Sequence, residues 1–108
     1  MRFFVSGPVS GKTDHNREEF KKAERLLQSQ GRASCTPFAI PEPRLTEHTE
    51  SDEAVWRYYM RHCIREICLC DGLYMLPGWQ NSKGALIEHR LARELGLQIL
   101  YAPVPDHD

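Results

Sequence analysis

The sequence predicts an α/β fold: a small three-layer sandwich, flavodoxin-like, with helices on both faces of a parallel sheet of four to five strands. Three observations carry this expectation. Short apolar runs alternate with longer segments whose apolar residues recur every three or four positions. Each run stops at glycine or proline. The chain has 108 residues, enough for one hydrophobic core and too few for two, so residues 1–108 are read as a single domain. Strands joined through helices need right-handed crossovers, which make them parallel and cover the sheet on both sides.

The first strand is Arg2-Phe3-Phe4-Val5-Ser6, a β-prone run stopped by Gly7-Pro8. A helix follows from Asp14 or His15 to Gln30, with Phe20, Ala23, Leu26 and Leu27 as its inward stripe and Gly31 as its stop. Ala33-Ser34-Cys35-Thr36 reads as a short second strand before Pro37. From Pro37 to Asp52, three prolines and mixed charge spell a loop, long enough in so small a domain to suggest a lid or binding segment. Ser51 or Asp52 caps a second helix that ends near Cys70 and lines Trp56, Tyr59, Met60, Cys63, Ile64 and Ile67 along one stripe. Leu73-Tyr74-Met75-Leu76 is the third strand, stopped by Pro77-Gly78. Asn81 or Ser82 caps a third helix to Glu94 or Leu95, ended by Gly96, and Leu97 to Tyr101 is the fourth strand. In the strand order 2-1-3-4, the connections leave strands one and three in opposite directions, and ligands bind in the crevice at their C-terminal ends. The Gly7-Pro8 and Pro77-Gly78 loops would face each other there.

Composition narrows the function. Fourteen Lys plus Arg against fifteen Asp plus Glu leave a formal charge of −1, so no whole-molecule field draws in a polymeric nucleic acid. No apolar run approaches the roughly 20 residues of a membrane helix, and no secretory h-region opens the chain, so a cytoplasmic protein without a membrane partner is expected. Cys63-x4-Cys68-x-Cys70, with Cys35 far upstream, fits neither a zinc framework nor a disulfide scaffold, and the cysteines read as small buried hydrophobes. The five histidines have no zinc spacing, and neither a metal nor a cofactor is expected.

Three features suggest chemistry. Ser6 to Thr13 resembles a Walker A loop, but Ser6 replaces its first glycine and Pro8 removes an amide donor, which argues against a nucleoside triphosphatase. What survives is either an anion-binding turn at a helix N-terminus or a plain tight turn. On the third helix, Ala85, Ile87, Leu91, Ala92 and Leu95 form an apolar stripe with Glu88 in its middle. A buried carboxylate must be paired or hydrogen-bonded, so Glu88 is either half of a salt bridge, to His89 or an arginine of the second helix, or part of a ligand site. Ser82 and Gly84 just upstream, near the helix N-terminus, favour the site. Trp56, Tyr59 and Trp79 are an aromatic wall for a planar base or ordinary core. Leu86 lies on the outward face between Arg90 and Arg93, where a contact between subunits would bury it, so a homo-oligomer is expected.

Taken together, Ser6-Gly7-Pro8-Val9-Ser10-Gly11, Asn16, Phe20, Trp56-x2-Tyr59-Met60-Arg61, Cys70-Asp71-Gly72 and Leu76-Pro77-Gly78-Trp79-x2-Ser82-x-Gly84-Ala85-x2-Glu88-His89-x2-Ala92 resemble a known family. It is the small, phage-associated branch of the nucleoside 2-deoxyribosyltransferase-like superfamily, related to the deoxynucleoside monophosphate N-glycosidases, and the likeness covers about residues 1–101. It implies a Rossmann-like sheet, a homo-oligomer with sites near subunit contacts, a nucleoside or nucleotide ligand, and Glu88 as the catalytic nucleophile. Ser82 and Gly84 match phosphate- or sugar-binding residues, and Gly7 with its neighbours matches the loop lining the nucleotide. The substrate-binding candidates are thus Ser6, Gly7, Pro8, Gly11, Tyr59, Cys63, Gly78, Ser82 and Gly84. At Cys63, eight residues before Asp71, the superfamily instead carries an aspartate that helps bind the sugar and handle the leaving base's proton. Three functions therefore stand open: an N-glycosidase or deoxyribosyltransferase, a non-catalytic nucleotide-binding protein on the same fold, and an oligomeric scaffold with a vestigial pocket.

Overall fold

Four strands lie in the order β2-β1-β3-β4, all neighbours parallel, in the computed structural model, which describes residues 1–41 and 51–103. The elements are β1 (Arg2–Ser6), α1 (Arg17–Ser29), β2 (Ala33–Cys35), α2 (Asp52–Cys68), β3 (Gly72–Met75), α3 (Lys83–Glu94) and β4 (Gln98–Tyr101). Short 3-10 turns fill Thr13–Asn16, Pro37–Ala39 and Trp79–Asn81. Period-two alternation divides the sheet's side chains between two faces. Phe3, Val5, Tyr74 and Leu76 meet Phe20, Ala23 and Leu27 of α1. Phe4, Leu73 and Met75 meet Cys63 and Ile67 of α2 and Ala85 and Ala92 of α3. The result is one helix, a sheet, then two helices, with each fully buried Phe or Leu stabilising by about 1.5–3 kcal/mol.

Both long-range helix starts follow their capping residues. Ser51 Oγ accepts from the Ala54 amide at 3.1 Å, and Ser82 Oγ accepts from the Ala85 amide at 3.3 Å. β3 begins one residue earlier than expected because Gly72 belongs in the sheet. A Cβ there would lie 2.5 Å from the Gln98 carbonyl oxygen and from Phe3 Cε1, so only glycine lets the neighbouring strands close on it.

Other expectations need correction. The first helix starts at Arg17, since Asp14, His15 and Asn16 all have positive φ (48°, 55° and 65°) and form a left-handed turn before it. Leu26 is 39% exposed, because it lies about 90° around α1 from the line of Phe20, Ala23 and Leu27. On α3 the buried line is Ala85, Glu88 and Ala92, while Ile87 and Leu95 are 39% and 52% exposed. Small side chains let α3 approach the sheet by one edge of the expected stripe, which turns the larger residues outward. Cys35, Cys63 and Cys70 are buried, but Cys68, one position beyond Ile67 at the end of α2, is exposed. The loop expected from Pro37 contains a 3-10 turn and seats Ile40 in the core; the suggested lid falls largely on residues 42–50, outside the described residues.

Candidate functional site

The crossovers on either side of β1 and β3 create a switch point. β1 passes to α1 on one face, whereas β3 passes to α3 on the other, so the loops after Ser6 and Met75 diverge. They nevertheless touch at their bases. The Leu76 amide donates to the Ser6 carbonyl at 2.8 Å, and a Cβ on Gly7 would fall 2.6 Å from Leu76 Cβ, so position 7 has no room for a side chain. Gly78 adopts φ +85°, a left-handed turn that brings it against Pro8; an added Cβ would sit 3.7 Å from Pro8 Cγ. The two glycine-proline loops thus meet over the C-terminal ends of the central strands.

Beneath them lies Glu88. Alternation along β1 directs Ser6 to the same face as Phe4, toward α2 and α3, and Ser6 is fully buried there. Its hydroxyl donates to Glu88 Oε1 at 2.6 Å, and the carboxyl is only 5% exposed. From α2, the Cys63 thiol lies close enough to the same carboxyl to influence its ionisation. Burial pushes the Glu88 carboxyl up to about 7, with Ser6 and Cys63 pulling the other way. The Cys63 thiol is pushed far above its ordinary range by burial and by Glu88, so it stands protonated, as a donor. The carboxyl that the sequence left between salt bridge and site is therefore hydrogen-bonded by a hydroxyl, with a thiol nearby; among the described residues it has no cationic partner.

The start of α3 is held against α2. A Cβ on Gly84 would lie 3.0 Å from Met60 Sδ and 3.9 Å from Trp56 Nε1, and Lys83 Nζ sits 4.4 Å from the centre of the Trp56 ring. Ser82 uses its hydroxyl to cap the helix, and Tyr59 packs on the α2–α3 core with an edge-to-face contact to Tyr58 at 5.3 Å. Of the residues singled out from sequence, Ser6 and Glu88 are joined directly and Cys63 lies beside them, with Gly7, Pro8 and Gly78 above. Gly11 stands apart, exposed in a turn at φ +76° with nothing near its Cβ position.

Of the three aromatics, Trp56 lies beside Gly84 and Lys83, while Tyr59 and Trp79 pack on the α2–α3 core. Trp79 stacks on His89 with ring centres 4.2 Å apart and 25° between planes, and His89 Nε2 lies 2.7 Å from the Tyr101 hydroxyl. Burial and nearby Arg93 push the His89 imidazole down, toward its neutral form. Sequence reasoning missed this cluster, since only the pairing of β3 with β4 brings Tyr101 beside α3. A cavity of about 380 Å³ lies elsewhere, along Lys12, Thr13, Asn16 and Arg17 at the entry to α1, and Asn16 Nδ2 ties that turn to the Pro8 carbonyl at 2.9 Å. Among the described residues, no cluster of three or more His, Cys, Asp or Glu is arranged to hold a metal, and no helix is long and apolar enough to cross a membrane.

Against known proteins, residues 1–101 match the family described as "Domain of unknown function (DUF4406)". The 2-deoxyribosyltransferase from the psychrotolerant bacterium Bacillus psychrosaccharolyticus superposes with a TM-score of 0.71 at 15% identity, over 98% of this chain and 77% of that one. At that identity the likeness shows a shared fold. No curated protein matches the sequence.

Proposed function

This chain belongs to the DUF4406 family, and from that premise and its 2-deoxyribosyltransferase-like fold we propose that it cleaves or transfers the N-glycosidic bond of a nucleoside or nucleoside 5′-monophosphate. Glu88 is the nucleophile in this reading. A carboxylate oxygen attacks the anomeric carbon, the bond to the base breaks, and its electron pair leaves with the base, which takes up a proton. Water or a second base then attacks the same carbon and frees Glu88. The observation that supports this best is a carboxyl only 5% exposed, without a cation, held by a hydroxyl at the switch point where such folds bind ligands. Its elevated titration range leaves a substantial ionised fraction at neutral pH. Ser82, Gly84 and the loops of Gly7, Pro8 and Gly78 are assigned to the ligand. The protein is proposed to work in the cytoplasm as one domain over residues 1–108, in a homo-oligomer that covers Leu86, which is 45% exposed in the single chain.

One observation favours a second reading, nucleotide binding without turnover. Retaining glycosyl transfer uses two carboxyl groups about 5–5.5 Å apart, and the α2 side chain beside Glu88 is the Cys63 thiol. Loss of general-acid help costs about 10²–10⁴-fold in rate. Incubating the purified protein with a panel of nucleosides and 5′-monophosphates, with released base followed by chromatography and ligand-induced melting shifts in parallel, separates the two. Base release supports the enzyme; a melting shift without release supports the binding protein; neither response would reject both.

A further inference from the structure

We infer that Ser6 is the positioning residue of Glu88: its hydroxyl, fixed in the central sheet, holds the carboxyl in one rotamer and favours its ionised form. The inference deepens the proposed function and rests on it for its catalytic meaning, but not for its geometry. Ser6 closes a strand that otherwise reads Phe-Phe-Val, and a hydroxyl at 0% exposure in such a strand is costly unless it is bonded. Its backbone is held by β3 and the residue after it. Ser6 pairs with Met75 in the β1–β3 ladder, and its carbonyl accepts from Leu76 at 2.8 Å, so the Cβ that carries the hydroxyl is fixed. The 2.6 Å separation from Glu88 Oε1 lies in the short range of a hydroxyl bonded to a carboxylate.

Among the described residues, it is the Ser6 hydroxyl that donates a hydrogen bond to the carboxyl. From α2 comes the Cys63 thiol, a weaker donor than a hydroxyl; β1 and β3 supply Phe4, Leu73 and Met75 to the same apolar cluster, and α3 adds Ala85 and Ala92. Among the described residues no charged side chain acts on the carboxyl. A buried glutamate has three rotatable bonds and would otherwise drift between rotamers. A donor anchored in the sheet removes that freedom and stabilises the charge through the same contact.

The test follows the Glu88 carboxyl by 13C NMR against pH in glutamate-labelled protein, with the resonance assigned through Glu88→Gln. Ser6→Ala should make Glu88 bind its proton on the order of tenfold more tightly, Ser6→Cys should give an intermediate change, and Ser6→Thr should stay near the wild type. Should Ser6→Ala fail to fold, the near-isosteric Ser6→Cys carries the test. A Glu88 titration unmoved in Ser6→Ala, or in Ser6→Cys when that variant stands in, overturns the inference. If base release is observed, its acidic limb should move to higher pH in step with the titration. If no variant releases base while the titration moves as stated, the catalytic reading fails and the positioning role stands.

Discussion

The two faces of the sheet are built from the same strands and do different work. On the α1 face, Phe3, Val5, Tyr74 and Leu76 meet Phe20, Ala23 and Leu27 in an apolar cluster, with the Arg32 guanidinium over the Phe3 ring at its edge. The opposite face has its own apolar cluster around Phe4, Leu73 and Ile67, yet it also buries Ser6, Cys63 and Glu88 together. A carboxyl in that position is tolerated only because it is hydrogen-bonded and because α3 reaches the sheet through small residues that leave room for it. One face supplies stability, and the other gives up part of it to bury a carboxyl at the switch point.

If that division is right, substitutions on the two faces should fail in different ways. The largest effect on folding belongs to the α1 side. Phe20→Ala, which empties a fully buried ring site in contact with Phe38 at 5.0 Å, should destabilise the protein by about 3–5 kcal/mol in denaturant titrations while leaving the Glu88 titration in place. A titration that moved with it would mean that the faces are not independent.

The next effect is one of pH and has the opposite sign. Glu88 keeps its proton up to about 7 in the folded chain, whereas an unfolded glutamate releases it near 4.5, so between those values the unfolded state binds fewer protons. Stability from this group is therefore present below pH 4.5 and lost as pH rises through 7. Glu88→Gln should flatten that slope and lift stability at pH 8 relative to pH 5 by up to about 3 kcal/mol against the wild type. Urea midpoints at both pH values check it; equal slopes in the two proteins would deny that the carboxyl is buried without a cation.

A smaller effect sharpens the functional side of the comparison. In the enzyme reading, Cys63→Asp gives the site a second acid and should raise base release from a deoxynucleotide by up to about 10²-fold, at a stability cost from the new buried charge. In the binding reading the variant stays inert and holds nucleotide more weakly, since the added carboxylate repels both Glu88 and a phosphate. Release rates at matched folded fraction decide between them.

Local signals account for most of what the sequence made visible. Apolar runs ending at Gly7-Pro8 and Pro77-Gly78 located the central strands, Ser51 and Ser82 marked two helix starts, and helix phase set Cys63 and Glu88 inward. The bond that defines the site joins residues 82 positions apart, and no local pattern reports it. It depends on the register of β1 in the sheet and on how α3 rotates when Ala85 and Ala92 settle against that sheet. The same rotation explains why Ile87 and Leu95 face outward despite their spacing. The left-handed turn at Asp14, His15 and Asn16 was equally hidden, because their polar side chains also suit a helix's first turn.

The claim that Glu88 is the attacking group is tested most directly by comparing base release from a nucleoside 5′-monophosphate by the wild type and by Glu88→Gln, with nucleotide binding measured on both. The account predicts release by the wild type, none above background by Glu88→Gln, and binding largely retained, because the amide keeps the shape of the carboxyl but cannot act as the nucleophile. Undiminished release by Glu88→Gln would contradict it.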